Sequence, residues 1–160
     1  MRVGIGFDVH KFVPHRSLFL GGVKIPYSLG LEGHSDADVL LHALMDALLG
    51  AISAGDIGEN FPDQDERFKN ASSLSLLSKV IELINKKGYR VVNTDIVAVL
   101  DEPRLNDFKR EMEKTIAKCL QIRPGDVSVK ATTTEGLGFI NTKEGAAALA
   151  TVLVERSRRP

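Results

Sequence analysis

The stretch from His34 to Asp56, H-S-D-A-D-V-L-L-H-A-L-M-D-A-L-L-G-A-I-S-A-G-D, places two histidines and four carboxylates in 23 residues that otherwise read as a buried helix. Polar groups of this kind seldom enter an apolar element without a partner. Asp38, His42 and Asp46 recur at i, i+4, i+8 and so share one edge of the helix. Leu40, Leu41, Leu44, Leu48 and Leu49, with Ala43, Ala47 and Ala51, surround that edge with apolar bulk. One histidine and one aspartate would read as a cap and a solvated stripe. Six such groups among leucines read as a site. Ser35 or Asp36 is the expected N-cap and Gly55 the expected stop, with His34 and Asp56 in the flanking loops.

Working outward, Val3, Ile5, Phe7 and Val9 alternate along Arg2 to His10, the period of a strand, which sends Asp8 and His10 to one face. Leu18 to Leu20 and Val23 to Ile25, joined by Gly21-Gly22, predict a tight hairpin. On the far side, Asp56 to Asn70 lacks periodicity and is long for a plain connection, so it reads as a functional loop. A second helix is predicted from a cap at Ser72 or Ser73 to Lys87, stopped by Gly88. Tyr89 to Leu100 reads as a strand, Asp101 to Asp107 as a loop, Phe108 to Leu120 as a third helix and Val127 to Thr132 as a strand, followed by a Thr- and Gly-rich loop to Phe139. Gly145 to Val154 is apolar throughout, which suits a buried strand or a short helix, and a strand is the reading adopted. The fold expected is α+β, a mixed β-sheet packed on one side by three helices, with a small N-terminal hairpin, in a single domain spanning 1–160.

The chain of 160 residues can bury roughly 70% of its unfolded surface. Its 21 Lys and Arg balance 21 Asp and Glu, and it has no tryptophan, so neither a uniform positive field nor an aromatic platform for nucleic acid is present. The single cysteine, Cys119, reads as a small buried hydrophobe in a reducing compartment. With no apolar run of signal or membrane-spanning length, a cytoplasmic protein is expected, or a plastid stromal one whose transit peptide has been trimmed.

Asp8, His10 and His42 form a set of two imidazoles and one carboxylate, the kind that holds catalytic zinc with a fourth position open. Asp38 or Asp46, one turn either side of His42, is placed to orient its ring. Oxygen-rich ligation would also suit manganese or non-haem iron. On the residues alone, the chain could be an enzyme using such an ion, a metal-dependent phosphohydrolase among them, or a binding module in which the ion is structural.

Four separated motifs carry a more specific resemblance. Gly6-Phe7-Asp8-Val9-His10, His34-Ser35-Asp36-Ala37-Asp38-Val39 with His42, Gly55-Asp56-Ile57-Gly58 with Phe61-Pro62-Asp63, and Ala131-Thr132-Thr133-Thr134-Glu135 with Leu137-Gly138-Phe139 together resemble the 2-C-methyl-D-erythritol 2,4-cyclodiphosphate synthases. The resemblance implies a lyase of the non-mevalonate isoprenoid pathway that closes a cyclic diphosphate and expels CMP. It implies zinc or manganese on Asp8, His10 and His42, and a second divalent ion, magnesium or manganese, with Glu135. His34 and Thr133 would be catalytic. Ser35, Asp56, Ile57, Gly58, Phe61, Pro62 and Asp63 would hold the phosphorylated methylerythritol, and Leu100, Pro103, Arg104, Leu105, Ala131, Thr132 and Thr133 the cytidine. It also implies a homotrimer with sites between subunits. Some positions depart from the family pattern: Arg104 stands where lysine is common, Ala37 where glycine is common, and Thr142 and Leu149 where some members line a central cavity with arginine and glutamate.

Overall fold

Strand β1 (Arg2–Pro14) runs four residues beyond the expected end and carries the site's two N-terminal ligand candidates on its inner face. In this computed structural model residues 1–62, 71–135, 137–138 and 144–157 are described; Asp63, Phe139 and Thr142 lie outside them. The remaining elements are β2 (Leu18–Leu20), β3 (Val23–Ile25), β4 (Leu29–Leu31), α1 (Val39–Ala51), α2 (Ile57–Asn60), α3 (Ser73–Lys86), β5 (Tyr89–Val99), α4 (Lys109–Leu120), β6 (Val127–Thr132) and β7 (Gly145–Arg156). Five strands form one mixed sheet in the order β4-β1-β7-β5-β6, and β2 and β3 form the separate hairpin. β7 is antiparallel to both β1 and β5, while β6 is parallel to β5, so the C-terminal ends of β1, β5 and β6 lie at one end of the sheet. The strand reading of Gly145 to Val154 holds.

The alternation in β1 gives the strand but not its orientation. Val3 is 73% exposed, Ile5 66% and Phe7 58%, and the inward positions are Gly4, Gly6, Asp8 and His10. The cause is the close approach of α1. A Cβ on Gly4 would lie 1.8 Å from the Ala47 carbonyl oxygen, and one on Gly6 2.0 Å from that of Ala43. The helix therefore rests on the strand's main chain, and only glycine fits beneath it. Ala146, Ala148 and Ala150 of β7 continue this small-residue floor, and Leu40, Leu41, Leu44, Leu48 and Leu49 fill the core above it.

Helix α1 differs from the expected span at both ends. Its N-cap is Asp38, not Ser35 or Asp36, because Ala37 takes φ +55 and keeps the chain out of the helix until Val39. Asp38 is fully buried: Oδ1 accepts from Leu41 N (3.2 Å) and Gly21 N (2.9 Å), and Oδ2 from Gly22 N (2.7 Å). The two glycines have φ +59 and +76, the positive values a two-residue hairpin turn requires, so one carboxylate caps the helix and pins the hairpin to it. The helix ends at Ala51, and Gly55 (φ +76) serves instead to turn the chain into α2. Cys119 is only partly buried, with Sγ 3.4 Å from Ser78 Oγ, a correction to its reading as a core residue. No helix among the described residues is long and apolar enough to cross a membrane.

Candidate active site

Three side chains from two elements converge where α1 crosses the end of β1. Asp8 Oδ2 lies 2.9 Å from His10 Nε2 and 3.1 Å from His42 Nδ1, and the two nitrogens are 3.0 Å apart. The alternation of β1 puts Asp8 and His10 on one face, and the Gly6 contact lowers α1 until His42 meets them. His10 Nδ1 lies 2.6 Å from the Glu32 carbonyl oxygen, which can only accept, so Nδ1 carries the proton and the neutral ring turns a lone pair from Nε2 toward Asp8. Burial opposes the charge on Asp8, but its contacts with His10 and His42, which are hydrogen bonds when the facing ring nitrogens carry protons, outweigh it and bring its pKa from 3.8 down to about 2. Burial likewise opposes the charge on His10, yet the hydrogen bond and charge of Asp8 hold its pKa above the usual imidazole value.

This donor set suits a divalent cation. Tetrahedral bonds of about 2.0–2.1 Å would place ligand atoms about 3.3 Å apart, within a few tenths of the separations found here. One carboxylate oxygen and two imidazole nitrogens suit zinc or manganese and leave at least one coordination position facing outward.

That position opens on a cavity of about 220 Å³ whose wall includes Asp8, His10, His34, Ser35, His42, Ile57, Gly58 and Phe61. His34 is exposed and Ser35 buried, and their loop is braced by Arg16, which donates to Gly33 O (2.8 Å) and to Ser35 O. Asp56 caps α2 through Glu59 N (2.8 Å), which directs the start of that short helix at the cavity, with exposed Pro62 just beyond its end. A second pocket of about 260 Å³ collects Leu100, Pro103, Arg104, Leu105, Ala131, Thr132, Thr133 and Glu135, with Thr133 Oγ1 donating to Glu135 Oε1 at 2.8 Å. The predicted site residues thus divide into two groups. Asp8, Ala148, Ala98 and Ala131 form one row across β1-β7-β5-β6. Three strand spacings separate its ends, about 14 Å.

Neither aspartate expected to orient His42 does so by a hydrogen bond. Asp38 is engaged by the hairpin and the helix start, and Asp46 Oδ1 accepts from Ile57 N (2.8 Å), tying α2 to α1. Burial pushes the carboxyls of both up, against the pull of those backbone donors. The groups on the outer nitrogen of His42 are hydroxyls: Ser73 Oγ at 3.0 Å and Ser35 Oγ at 3.2 Å from Nε2. Sequence reading missed Ser73 as a site residue and gave Asp36, one of the clustered carboxylates, no individual role beyond that of a cap. A signal for Ser73 existed in the doubled serine at the start of α3, where Ser72 occupies the N-cap position and Ser73 is free for another purpose. Nothing in the sequence signals Arg16 or the Glu32 carbonyl.

Residues 1–155 match the model of the YgbB family. The 2-C-methyl-D-erythritol 2,4-cyclodiphosphate synthase of Pelotomaculum thermopropionicum is 58% identical over 157 residues, 98% of this chain and 97% of that one. Among solved structures, the bifunctional IspDF of Campylobacter jejuni superposes with a TM-score of 0.93 at 47% identity, over 97% of this chain and 42% of that larger one. IspF of Plasmodium falciparum in complex with CDP superposes with a TM-score of 0.86 at 33% identity, over 98% and 97% of the two chains. With sequence, fold and the motif-bearing elements in agreement across nearly the whole length, the chain belongs to the YgbB family.

Proposed function

We infer that this chain converts 4-diphosphocytidyl-2-C-methyl-D-erythritol 2-phosphate to 2-C-methyl-D-erythritol 2,4-cyclodiphosphate and CMP, a phosphorus-oxygen lyase step of non-mevalonate isoprenoid synthesis. An oxygen of the 2-phosphate attacks the β-phosphorus, the bond from that phosphorus to the bridging oxygen breaks, and CMP leaves with the α-phosphate. Both reacting groups belong to the substrate, so the protein's work is to fold it on itself and offset the repulsion of its phosphates.

The observation that carries this reading is the Asp8, His10 and His42 cluster opening on a cavity that the His34-Ser35 loop and α2 also face. Asp8, His10 and His42 would hold a divalent ion, zinc or manganese, which would supply Lewis acidity at the β-phosphate. Ser35 contacts phosphate, and His34 and Thr133 stabilise the charge that develops in the transition state. Asp56, Ile57, Gly58, Phe61, Pro62 and Asp63 hold the methylerythritol. Leu100, Pro103, Arg104, Leu105, Ala131, Thr132 and Thr133 hold cytidine, and Glu135 would help hold a second divalent ion, magnesium or manganese, which would offset the charge of the diphosphate.

The working form in this reading is a homotrimer, each site joining the metal cavity of one copy to the nucleotide pocket of another. Two features support it: the exposed apolar face of β1, and the separation of the two pockets within one chain. Neither nucleic acid nor a membrane is a partner in this reading, and the setting is the cytoplasm or, with a trimmed transit peptide, the plastid stroma. Phosphorus NMR of the protein with substrate, magnesium and trace zinc tests it. Resonances of a cyclic diphosphate alongside CMP are expected; linear hydrolysis products would move the assignment to a phosphohydrolase, and untouched substrate with folded, metal-loaded protein to a binding module.

A further inference from the structure

An imidazole can serve as a ligand only through the nitrogen that lacks a proton, so the ring of His42 must be held in one of its two neutral tautomers. His42 Nδ1 faces Asp8 and His10, and Nε2 faces Ser73 Oγ at 3.0 Å. A hydroxyl can donate or accept, and on its own it selects neither form. The selection comes from the other side of Ser73. Its Oγ donates to Asp36 Oδ1, while Asp36 Oδ2 accepts from Ser73 N at 3.0 Å. A carboxylate can only accept, so the one hydroxyl proton of Ser73 is committed to Asp36. Ser73 is fully buried, so water does not offer an alternative partner. The oxygen left facing His42 is therefore an acceptor, and Nε2 must bring the proton.

We propose that Asp36 and Ser73 act as a positioning pair that fixes His42 as the Nε2–H tautomer and so keeps the Nδ1 lone pair for a divalent cation at the Asp8, His10 and His42 cluster. It rests on the metal-site reading given above. The Glu32 carbonyl performs the mirror task on His10, where the protonated nitrogen is Nδ1 and the ligand is Nε2. Ser35 gains a role from the same logic. Its Oγ accepts from Ala37 N (3.0 Å), and beside a protonated Nε2 its own proton is left for an acceptor other than the ring; Ser35 lines the cavity.

Ring-nitrogen NMR of the metal-free, ¹⁵N-labelled protein in alkaline buffer, where imidazoles are neutral, reads the tautomer directly. The wild type is expected to show a protonated Nε2 and a bare Nδ1 on His42; the reverse pattern would overturn the proposal. Asp36→Asn is the sharper variant, because it keeps shape while its amide can donate to Ser73 Oγ and free the hydroxyl proton to point at Nε2. Expected are a shift of His42 toward Nδ1–H and a fall in zinc affinity, by chelator competition, of about tenfold or more. Ser73→Ala should move both readouts the same way. Variants that melt at lower temperature but keep the wild-type tautomer and zinc affinity would show a purely structural role and sink the idea. A wild type that binds no divalent ion yet shows the Nε2–H ring would fail the metal reading alone.

Discussion

His10 illustrates how one side chain ties acidity, stability and metal binding together. In the metal-free protein its pKa stands above the ordinary 6.5, so the contribution of its contact with Asp8 is fully present below pH 6.5 and is lost as pH rises through the folded value. Ligation requires the neutral ring, so stabilisation by a bound cation runs the other way and grows over the same interval. The melting temperature of chelator-stripped protein should therefore fall relative to that of zinc-loaded protein as pH is raised from about 6 to 8, and calorimetry at the lower end should register proton release on binding. A gap between the two forms that narrows with rising pH would contradict this account. At this scale the sequence was informative where local geometry decides. Asp8 and His10 share a face by strand alternation alone. Asp38 and Asp46 were read onto the correct helix edge but given the wrong partners, because their partners are backbone amides of Gly21, Gly22 and Ile57 on elements that spacing cannot place. Ser73 lies 31 residues from His42, and only folding brings its hydroxyl to the ring.

Among elements, the contact of α1 with β1 sets the site. Gly6→Ala would push a methyl to 2.0 Å from the Ala43 carbonyl oxygen, and main chain cannot yield as a side chain can. A loss of about 3 kcal/mol or more in urea unfolding is expected. Gly125→Ala, with nothing within 4 Å of the added carbon, is the control and should stay within about 0.5 kcal/mol of wild type. Equal effects of the two substitutions would mean that α1 does not bear on the strand as described. Most elements were legible, since strand alternation, the leucine-rich helix and the hairpin glycines each carry a local signal, but β4 and the four-residue α2, the latter inside the stretch read as a loop, are too short to show one. The boundaries of α1 were not. Asp38, Ser35 and Asp36 are all competent caps, and the choice fell to Asp38 because Ala37 adopts a left-handed backbone that the sequence does not announce.

Over the whole molecule, the outer face of the sheet carries Val3, Ile5, Phe7, Val9 and Leu149 in the open. Beside them Asp95 binds Lys130 Nζ through Oδ2 at 2.6 Å, while its Oδ1 is buried with no partner among the described residues. Contiguous apolar surface of this kind marks an interface. On the trimer reading, Ile5→Asp should yield monomers in sedimentation that retain zinc but not turnover; an active monomer would refute the placement of sites between copies. Balanced charge and average apolar content gave no hint of this face, because composition reports how much apolar surface a chain has and not where folding leaves it. The two pockets, about 14 Å apart along one row of the sheet, then acquire a genetic meaning. On the trimer reading, a lesion in the metal half and a lesion in the nucleotide half disable different partnerships, so two defective alleles expressed together would assemble some intact sites that neither could form alone.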